Sequence, residues 1–382
     1  MAVLLYIVAL PYLFFLLRKT KYKKSIRSRF FLKDNPSFES HGIWFHACSF
    51  GEVRSLKPFL EKIDLSQLRL SVMTQTGYHE ATSYRSNQVR YLPFEIFLPF
   101  WMKQQKILIV MEAELWPLLF IVAKAKGIRT VLLNARLSDH SYRSYQRFAW
   151  LYRWIFSHVD HVFAQSTIDQ ERLLSIGAKN VDVCGNIKIF NRYTVSKQFT
   201  KDPIRRLFVL ASTHESEEAL ILKQLTLNDH DQVIVVPRHP ERFDVVHALL
   251  REYVATHGYS YARLSHDDSL NAKVILGDTM GDLINLYAIA DIVILGGSFV
   301  GGIGGHNPLE PAYFGVKLIS GRFIFNQKVL FESVENAVIC DLEDLKSVLE
   351  HSDGLLNSRI THGGDVTPLL DKILGNNNGK SI

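Results

Sequence analysis

The chain has 382 residues, 47% of them hydrophobic and 21% charged, the balance of a folded protein with more length than one core needs. Its formal charge of +6 is not spread evenly: Met1 to Arg29 carries seven lysines and arginines (Arg18, Lys19, Lys21, Lys23, Lys24, Arg27, Arg29) and no acid. That patch exceeds the whole surplus, so a general nucleic-acid-binding surface is not indicated.

The first feature along the chain is Val3–Leu17, apolar throughout and followed at once by the basic cluster. A bilayer-spanning helix needs about 17–25 residues, so this stretch is at or below the limit. No small-residue cleavage site follows, and the charges come after the apolar run, the reverse of a signal peptide. Residues 1–24 are therefore expected to form a membrane anchor or monotopic helix with a basic collar on a cytoplasmic face. The plainer alternative is a buried first helix with solvated lysines behind it. Cys48, Cys184 and Cys340 are odd in number, far apart and without C-x-x-C spacing, which suits packing in a reducing cytoplasm.

Short apolar runs then alternate with helical patterns. Strands are predicted at Ile43–Cys48, Leu70–Met73, Ile107–Met111, Thr130–Leu133, His161–Ala164 and Val181–Cys184, and again at Leu207–Leu210, Gln232–Val236, Lys273–Leu276, Ile292–Leu295 and Lys317–Ile319. The runs are rich in Val, Ile and Leu without strict alternation, as parallel strands buried on both faces are. Two βα series predict an α/β protein with two Rossmann-like, doubly wound domains. Their expected limits are 25–192 and 203–365, with a polar seam between Phe190 and Pro203 and a helix end plus polar tail at 366–382.

In open parallel sheets, ligands bind beyond the carboxyl ends of the strands, so the loops there are where chemistry is expected. Ile43–Cys48 empties into Ser49-Phe-Gly-Glu52, Ile107–Met111 into Glu112-Ala-Glu114, and Val181–Cys184 into Gly185-Asn-Ile-Lys188. Glu112 and Glu114 would share one face if extended. In the second half the strand ends lead to Ser212-Thr-His-Glu215, Pro237-Arg238-His-Pro-Glu-Arg242 and Gly277-Asp-Thr-Met280-Gly281-Asp282. Ile292–Leu295 opens into a loop with six glycines between Gly296 and Gly305, then Asn307-Pro308-Leu309-Glu310. Asn307 is placed to cap a helix with Pro308 in its first turn. Glycines admit a ligand close to the backbone, first-turn N–H groups suit an anion, and Glu310 suits sugar hydroxyls. That combination points to a nucleotide.

Each residue also has a bland alternative. Glu52 serves equally as a first-turn acid complementing a helix dipole, Glu112 and Glu114 as an ion-pair partner and a solvated residue, and Lys188 and Arg242 as surface charges. His239 and His306 serve as satisfied loop histidines. It is their joint appearance at strand ends that carries weight. Neither G-x-G-x-x-G between a strand and a helix nor a P-loop occurs, no metal-ligand spacing is present, and a G-x-S-x-G elbow is missing.

Taken in order, His46-x-x-Ser49-x-Gly-Glu52, Met111-Glu-x-Glu-Leu-Trp-Pro117, Asn134-Ala-Arg-Leu-Ser138, Gly185-x-x-Lys188, Ser212-Thr-His-Glu215, Pro237-Arg-His-Pro-Glu-Arg242, Gly277-Asp-Thr-Met-Gly281 and Gly305-His-Asn-Pro-Leu-Glu310 resemble the 3-deoxy-D-manno-oct-2-ulosonic acid (Kdo) transferases of lipopolysaccharide assembly. The resemblance covers nearly the whole chain. It implies a GT-B fold, with its two domains facing across a cleft, and transfer of Kdo from CMP-Kdo to the 6′-hydroxyl of a lipid A precursor with inversion. It further implies no metal or other cofactor, and a place on the cytoplasmic side of a bacterial inner membrane. It gives Glu52 the role of base, and Glu112 and Lys188 the stabilising of the oxocarbenium-like transition state and departing phosphate, with Glu114 a weaker candidate. CMP would be held by Pro237-Arg238, Met280-Gly281-Asp282 and Asn307-Pro308-Leu309-Glu310. Two departures stand out: the turn Val300–Gly305 is a residue longer and richer in glycine than the family's usual form, and Asp282 stands where Glu is common. The competing readings are a GT-B transferase using a UDP- or GDP-sugar on a lipid-linked acceptor, and a non-catalytic nucleotide-binding membrane adaptor.

Overall fold

The computed structural model describes residues 11–375 except 12, 14, 16, 19, 85, 362 and 363. The chain forms two compact units, one of residues 1–191 with 365–382, the other of residues 192–364. Val3–Leu17 lies largely outside the described residues. Among the described residues, no helix is long and apolar enough to cross a membrane.

The first unit is built on seven strands, β1 Ile43–Ala47, β2 Leu68–Val72, β3 Val89–Tyr91, β4 Ile107–Met111, β5 Arg129–Ala135, β6 His161–Ala164 and β7 Val181–Val183. They run in the order β3-β2-β1-β4-β5-β6-β7, all parallel. Every residue of β1, β2 and β4 is buried. The two-residue period of a strand therefore supplies two cores. Ile43, Phe45, Ile107 and Ile109 pack on one face, and Trp44, Leu108 and Val110 on the other. Each such side chain contributes roughly 1.5–3 kcal/mol by leaving water. The helix Thr367–Leu374, expected from sequence as the start of a tail, closes one of these cores with Val366, Leu370 and Ile373.

The second unit carries β8 Arg206–Thr213, β9 Asp231–Pro237, β10 Tyr261–Arg263, β11 Val274–Leu276, β12 Ile292–Leu295, β13 Lys317–Gly321, β14 Val334–Glu335, β15 Val338–Cys340 and β16 Arg359–Ile360. Seven of them make a parallel sheet in the order β10-β11-β9-β8-β12-β13-β15, and β14 and β16 form a separate antiparallel pair. The first sheet reverses its strand order once, between β1 and β4; in the second the order reverses between β8 and β12, and β11 is also inserted between β9 and β10.

The second reversal is held by one side chain. Glu217, fully buried at the start of the helix Glu217–Gln224, accepts four backbone N–H groups: His214 at 2.9 Å, Gly297 at 2.7 Å, Ser298 at 3.0 Å and Phe299 at 2.9 Å. It ties the loop leaving β8 to the loop leaving β12. Gly296 is required there, because a Cβ would stand 2.8 Å from Ser212 O and from Thr213 Cα. Replacing Glu217 with Gln keeps the shape but turns an amide NH₂ toward N–H donors. Glu217→Gln should destabilise the second unit by about 2–4 kcal/mol in denaturant titration; an unchanged midpoint would show that the clamp contributes little.

Candidate active site

The reversal in the first sheet places the ends of β1 and β4 side by side, and with them Glu52 and Glu112. Ser49 caps the helix Phe50–Ser55 (Glu52 N to Ser49 Oγ, 3.4 Å), and Glu52 reaches back, accepting from Cys48 N and Ser49 Oγ at 2.8 Å each. This is a capping box, so the bland reading of Glu52 is structurally satisfied. It does not account for the surroundings. Glu52 makes no ion pair among the described residues. Burial pushes its pKa up, and the nearby Glu114 charge adds to that against its hydrogen bonds. Glutamine would cap as well without the repulsion, so something other than capping favours a carboxylate.

Glu112 sits at the end of β4 with its backbone in the left-handed region (φ 54°), its N–H bonded to Leu133 O at 2.8 Å. The extended geometry that would put Glu112 and Glu114 on one face is therefore not adopted. Both nevertheless reach the same neighbourhood. Burial raises the Glu112 pKa and Glu52 raises it further, while Lys188 and Arg136 oppose the rise. Glu114 accepts from Trp116 Nε1 at 2.9 Å and adds to the upward shift of the Cys48 thiol, which burial dominates.

Lys188 is set by an amide network. Asn134 stands in a left-handed bulge of β5 (φ 60°) and accepts from Ile187 N at 3.1 Å. Asn186 accepts from Lys188 N at 3.1 Å and donates to Gln165 Oε1 at 3.0 Å. A bulge with positive φ is a costly conformation that persists where its surroundings impose it, and such features cluster at functional sites.

One residue of this site was assigned elsewhere from sequence. Arg29, counted with the basic collar, turns inward: its Nε donates to Leu92 O at 3.0 Å, and its charge is felt by Cys48 and Glu114. Burial pulls its own pKa down. No pattern of spacing separates it from the exposed Arg27 and Lys24.

In the second unit the expected nucleotide residues lie at the carboxyl ends of central strands: Pro237-Arg238 after β9, Met280-Gly281-Asp282 after its neighbour β11, and Asn307–Glu310 after the loop from β12, with β8 between β9 and β12. The glycine loop itself differs from expectation. Its N–H groups at Gly297, Ser298 and Phe299 are taken by Glu217, so the chain supplies its own anion there. The helix beyond is Leu309–Tyr313, five residues, with Asn307 Oδ1 accepting from Leu309 N at 3.1 Å. Asn307 Nδ2 also donates to Glu310 Oε1 at 3.3 Å, and Tyr287 feels the charges of both Glu310 and Arg238. Asp282 accepts from Asn285 Nδ2 at 3.0 Å, while Asp278 is spent on Arg263 and Ser265. Arg242 forks onto buried Glu218, which leaves exposed Arg238 as the arginine of this loop without an ion pair among the described residues. His306 is satisfied by His214 (Nε2 to Nε2, 2.8 Å), and burial with Arg238 nearby pushes its pKa down to about 4.

The chain as a whole matches a known family. The family model described as 3-deoxy-D-manno-octulosonic-acid transferase (kdotransferase) matches residues 24–226. A 3-deoxy-D-manno-octulosonic acid transferase of Haemophilus influenzae is 32% identical over 371 residues, spanning 90% of this chain and 86% of the relative. The chain belongs to the Kdo transferase family. It is accordingly a glycosyltransferase. A namesake from Chlamydia pneumoniae is 30% identical over 93% of this chain and 86% of its own. Among solved structures, a putative UDP-N-acetylglucosamine 2-epimerase of Listeria monocytogenes aligns over 90% of this chain and 98% of its own with a TM-score of 0.58 at 12% identity, a likeness of fold alone.

The raised carboxyls of the transferase carry a stability consequence. Glu112 holds its proton more tightly folded than unfolded, where its value is near 4.5. Its contribution is therefore fully favourable below that pH and is lost as pH rises through the folded value, leaving a net cost at neutrality. Glu112→Gln should raise the melting temperature by a few degrees at about pH 7–8, and the gain should disappear below about pH 4. A loss of stability at neutral pH, measured by calorimetry, would mean that the attraction of the Lys188 and Arg136 charges outweighs burial.

Proposed function

We propose that the chain transfers Kdo from CMP-Kdo to the 6′-hydroxyl of a lipid A precursor with inversion, in the GT-B manner, the first unit handling the acceptor and the second holding the nucleotide. In this reading Glu52 takes the acceptor proton as its oxygen bonds to the anomeric carbon of Kdo, and the bond from that carbon to the CMP phosphate breaks from the opposite side. The observation that carries the reading is Glu52 itself: a carboxylate oriented by Cys48 N–H and Ser49 Oγ, without an ion-pair partner among the described residues, and crowded by two further acids. Two of its roughly four acceptor sites are used, so room remains for a substrate hydroxyl.

Glu112 faces the positive charge that develops on the sugar, and Lys188 compensates the departing phosphate. Both assignments draw support from the electrostatic coupling of Glu112 to Lys188. Pro237-Arg238, Met280-Gly281-Asp282 and Asn307-Pro308-Leu309-Glu310 hold CMP, Arg238 on phosphate and Glu310 on ribose. Fixed cations carry the leaving group, so no metal is required. A lipid acceptor, a soluble CMP-sugar donor and the basic residues after Leu17 support a reaction on the cytoplasmic side of the inner membrane, with residues 1–24 as anchor.

Incubation of the full chain with CMP-Kdo and a tetra-acylated lipid A precursor, in excess chelator, should give a product heavier by at least one Kdo in mass spectrometry. Product that forms only after a divalent cation is restored would contradict metal independence. No product under either condition would contradict the acceptor assignment.

A further inference from the structure

The helices Asp139–Arg147 and Ala149–Phe156 follow the carboxyl end of β5 and break at Phe148. Their inner side is accounted for: Ile155 and Phe156 are buried, and Tyr142, Tyr145, Leu151 and Tyr152 pack on the core. Their outer side is not what a solvated surface carries. Phe148 is 46% exposed, Trp150 70% and Trp154 48%. Trp150, Arg153 and Trp154 share one helical face by their i, i+3, i+4 spacing, and Arg143 and Arg147 pair in the same way on the preceding helix. All three arginines are exposed, and none enters an ion pair among the described residues. Residues 140–156 contain no acid at all. Asp139, just before them, is engaged by Arg172.

We infer that this pair of helices is a bilayer-docking surface for anionic lipid, separate from the N-terminal apolar stretch. Tryptophan rings settle at the headgroup level of a membrane, where one edge is apolar and the other wet. Exposed arginines beside them, uncompensated by acid, complement anionic headgroups. The position makes the contact useful. Tyr145, stacked on Tyr152 with ring centroids 4.3 Å apart, feels the charge of Glu114. The helix whose inner side carries Tyr145 thus lies within electrostatic reach of Glu114, so a bilayer seated on the outer side of the pair would hold a lipid-borne hydroxyl near the unit that carries the carboxylates. The inference rests on the transferase reading above for its purpose, though not for its geometry.

The test uses the full chain and vesicles of phosphatidylethanolamine with phosphatidylglycerol brominated along its acyl chains, which quench tryptophan on contact. Of the five tryptophans Trp44 and Trp101 are buried and Trp116 is half-buried with its Nε1 held by Glu114, so quenching reports chiefly on Trp150 and Trp154, and whatever quenching survives Trp150→Phe/Trp154→Phe belongs to Trp116. The wild-type chain should be quenched, and Trp150→Phe/Trp154→Phe should lose most of that quenching while still sedimenting with the vesicles. Arg143→Gln/Arg147→Gln/Arg153→Gln should need roughly tenfold more anionic lipid for half-maximal quenching. Trp150→Ala/Trp154→Ala should turn over detergent-dispersed acceptor as the wild type does and vesicle-embedded acceptor several-fold more slowly. A wild-type chain that sediments with vesicles but is not quenched would overturn the inference, as would a concentration-dependent dimer that shields both tryptophans. If the wild type shows no turnover on either acceptor, the transferase reading fails while the quenching result still decides this one.

Discussion

The constraint on which this protein depends is the reversal of strand order at the centre of each parallel sheet, β1 beside β4 in one and β8 beside β12 in the other. Where neighbouring strands send their connections in opposite directions, the loops beyond their carboxyl ends part, and the gap between them admits a ligand. In the first unit the gap is flanked by the exits of β1 and β4, which deliver Glu52 and Glu112. In the second it is flanked by the exits of β8 and β12, and Glu217 stitches the two loops together through four N–H groups. One reversal thus gathers titratable side chains, and the other is stiffened by a buried carboxylate, leaving Arg238 and the Asn307–Glu310 segment at its rim.

Charge at the first reversal is arranged against folding stability. Glu52 and Glu112 converge where burial disfavours their ionisation, with the charge of Glu114 beside them, and the nearby cations, Lys188, Arg136 and Arg29, are drawn from three distant parts of the chain. A site selected for stability alone would carry amides at these positions. The Asn134–Gln165–Asn186 network beside it shows the contrast, since amides there hold backbone and side chains together with no charge to desolvate.

Much of the fold was legible because central parallel strands are buried on both faces and so read as continuous apolar runs. Ile107–Met111, His161–Ala164 and Ile292–Leu295 match their predicted limits. The edge strands Val89–Tyr91, Tyr261–Arg263 and Val338–Cys340 were not legible, being three residues each and, in the last two, only partly buried. Candidate site residues were legible as strand-end residues where a strand and its loop are contiguous, as at Glu52, Glu112 and Arg238. They were illegible where the partner is remote. Nothing near Gly297 announces that its N–H will be met by Glu217, and nothing near Arg29 separates it from its exposed neighbours. The pairing of Glu112 with Glu114 failed for a local reason, because a left-handed residue at the strand end removes the alternation on which the argument relied.

In the proposed transfer the carboxylate of Glu52 acts as a proton acceptor beyond its service as a cap. Glu52→Gln separates the two functions, since glutamine retains the cap and cannot take the proton. Turnover of CMP-Kdo on a lipid A precursor should fall by roughly 10²–10⁴, with CMP affinity unchanged and melting temperature equal or higher. A variant that folds, binds CMP and turns over at the wild-type rate would contradict the account.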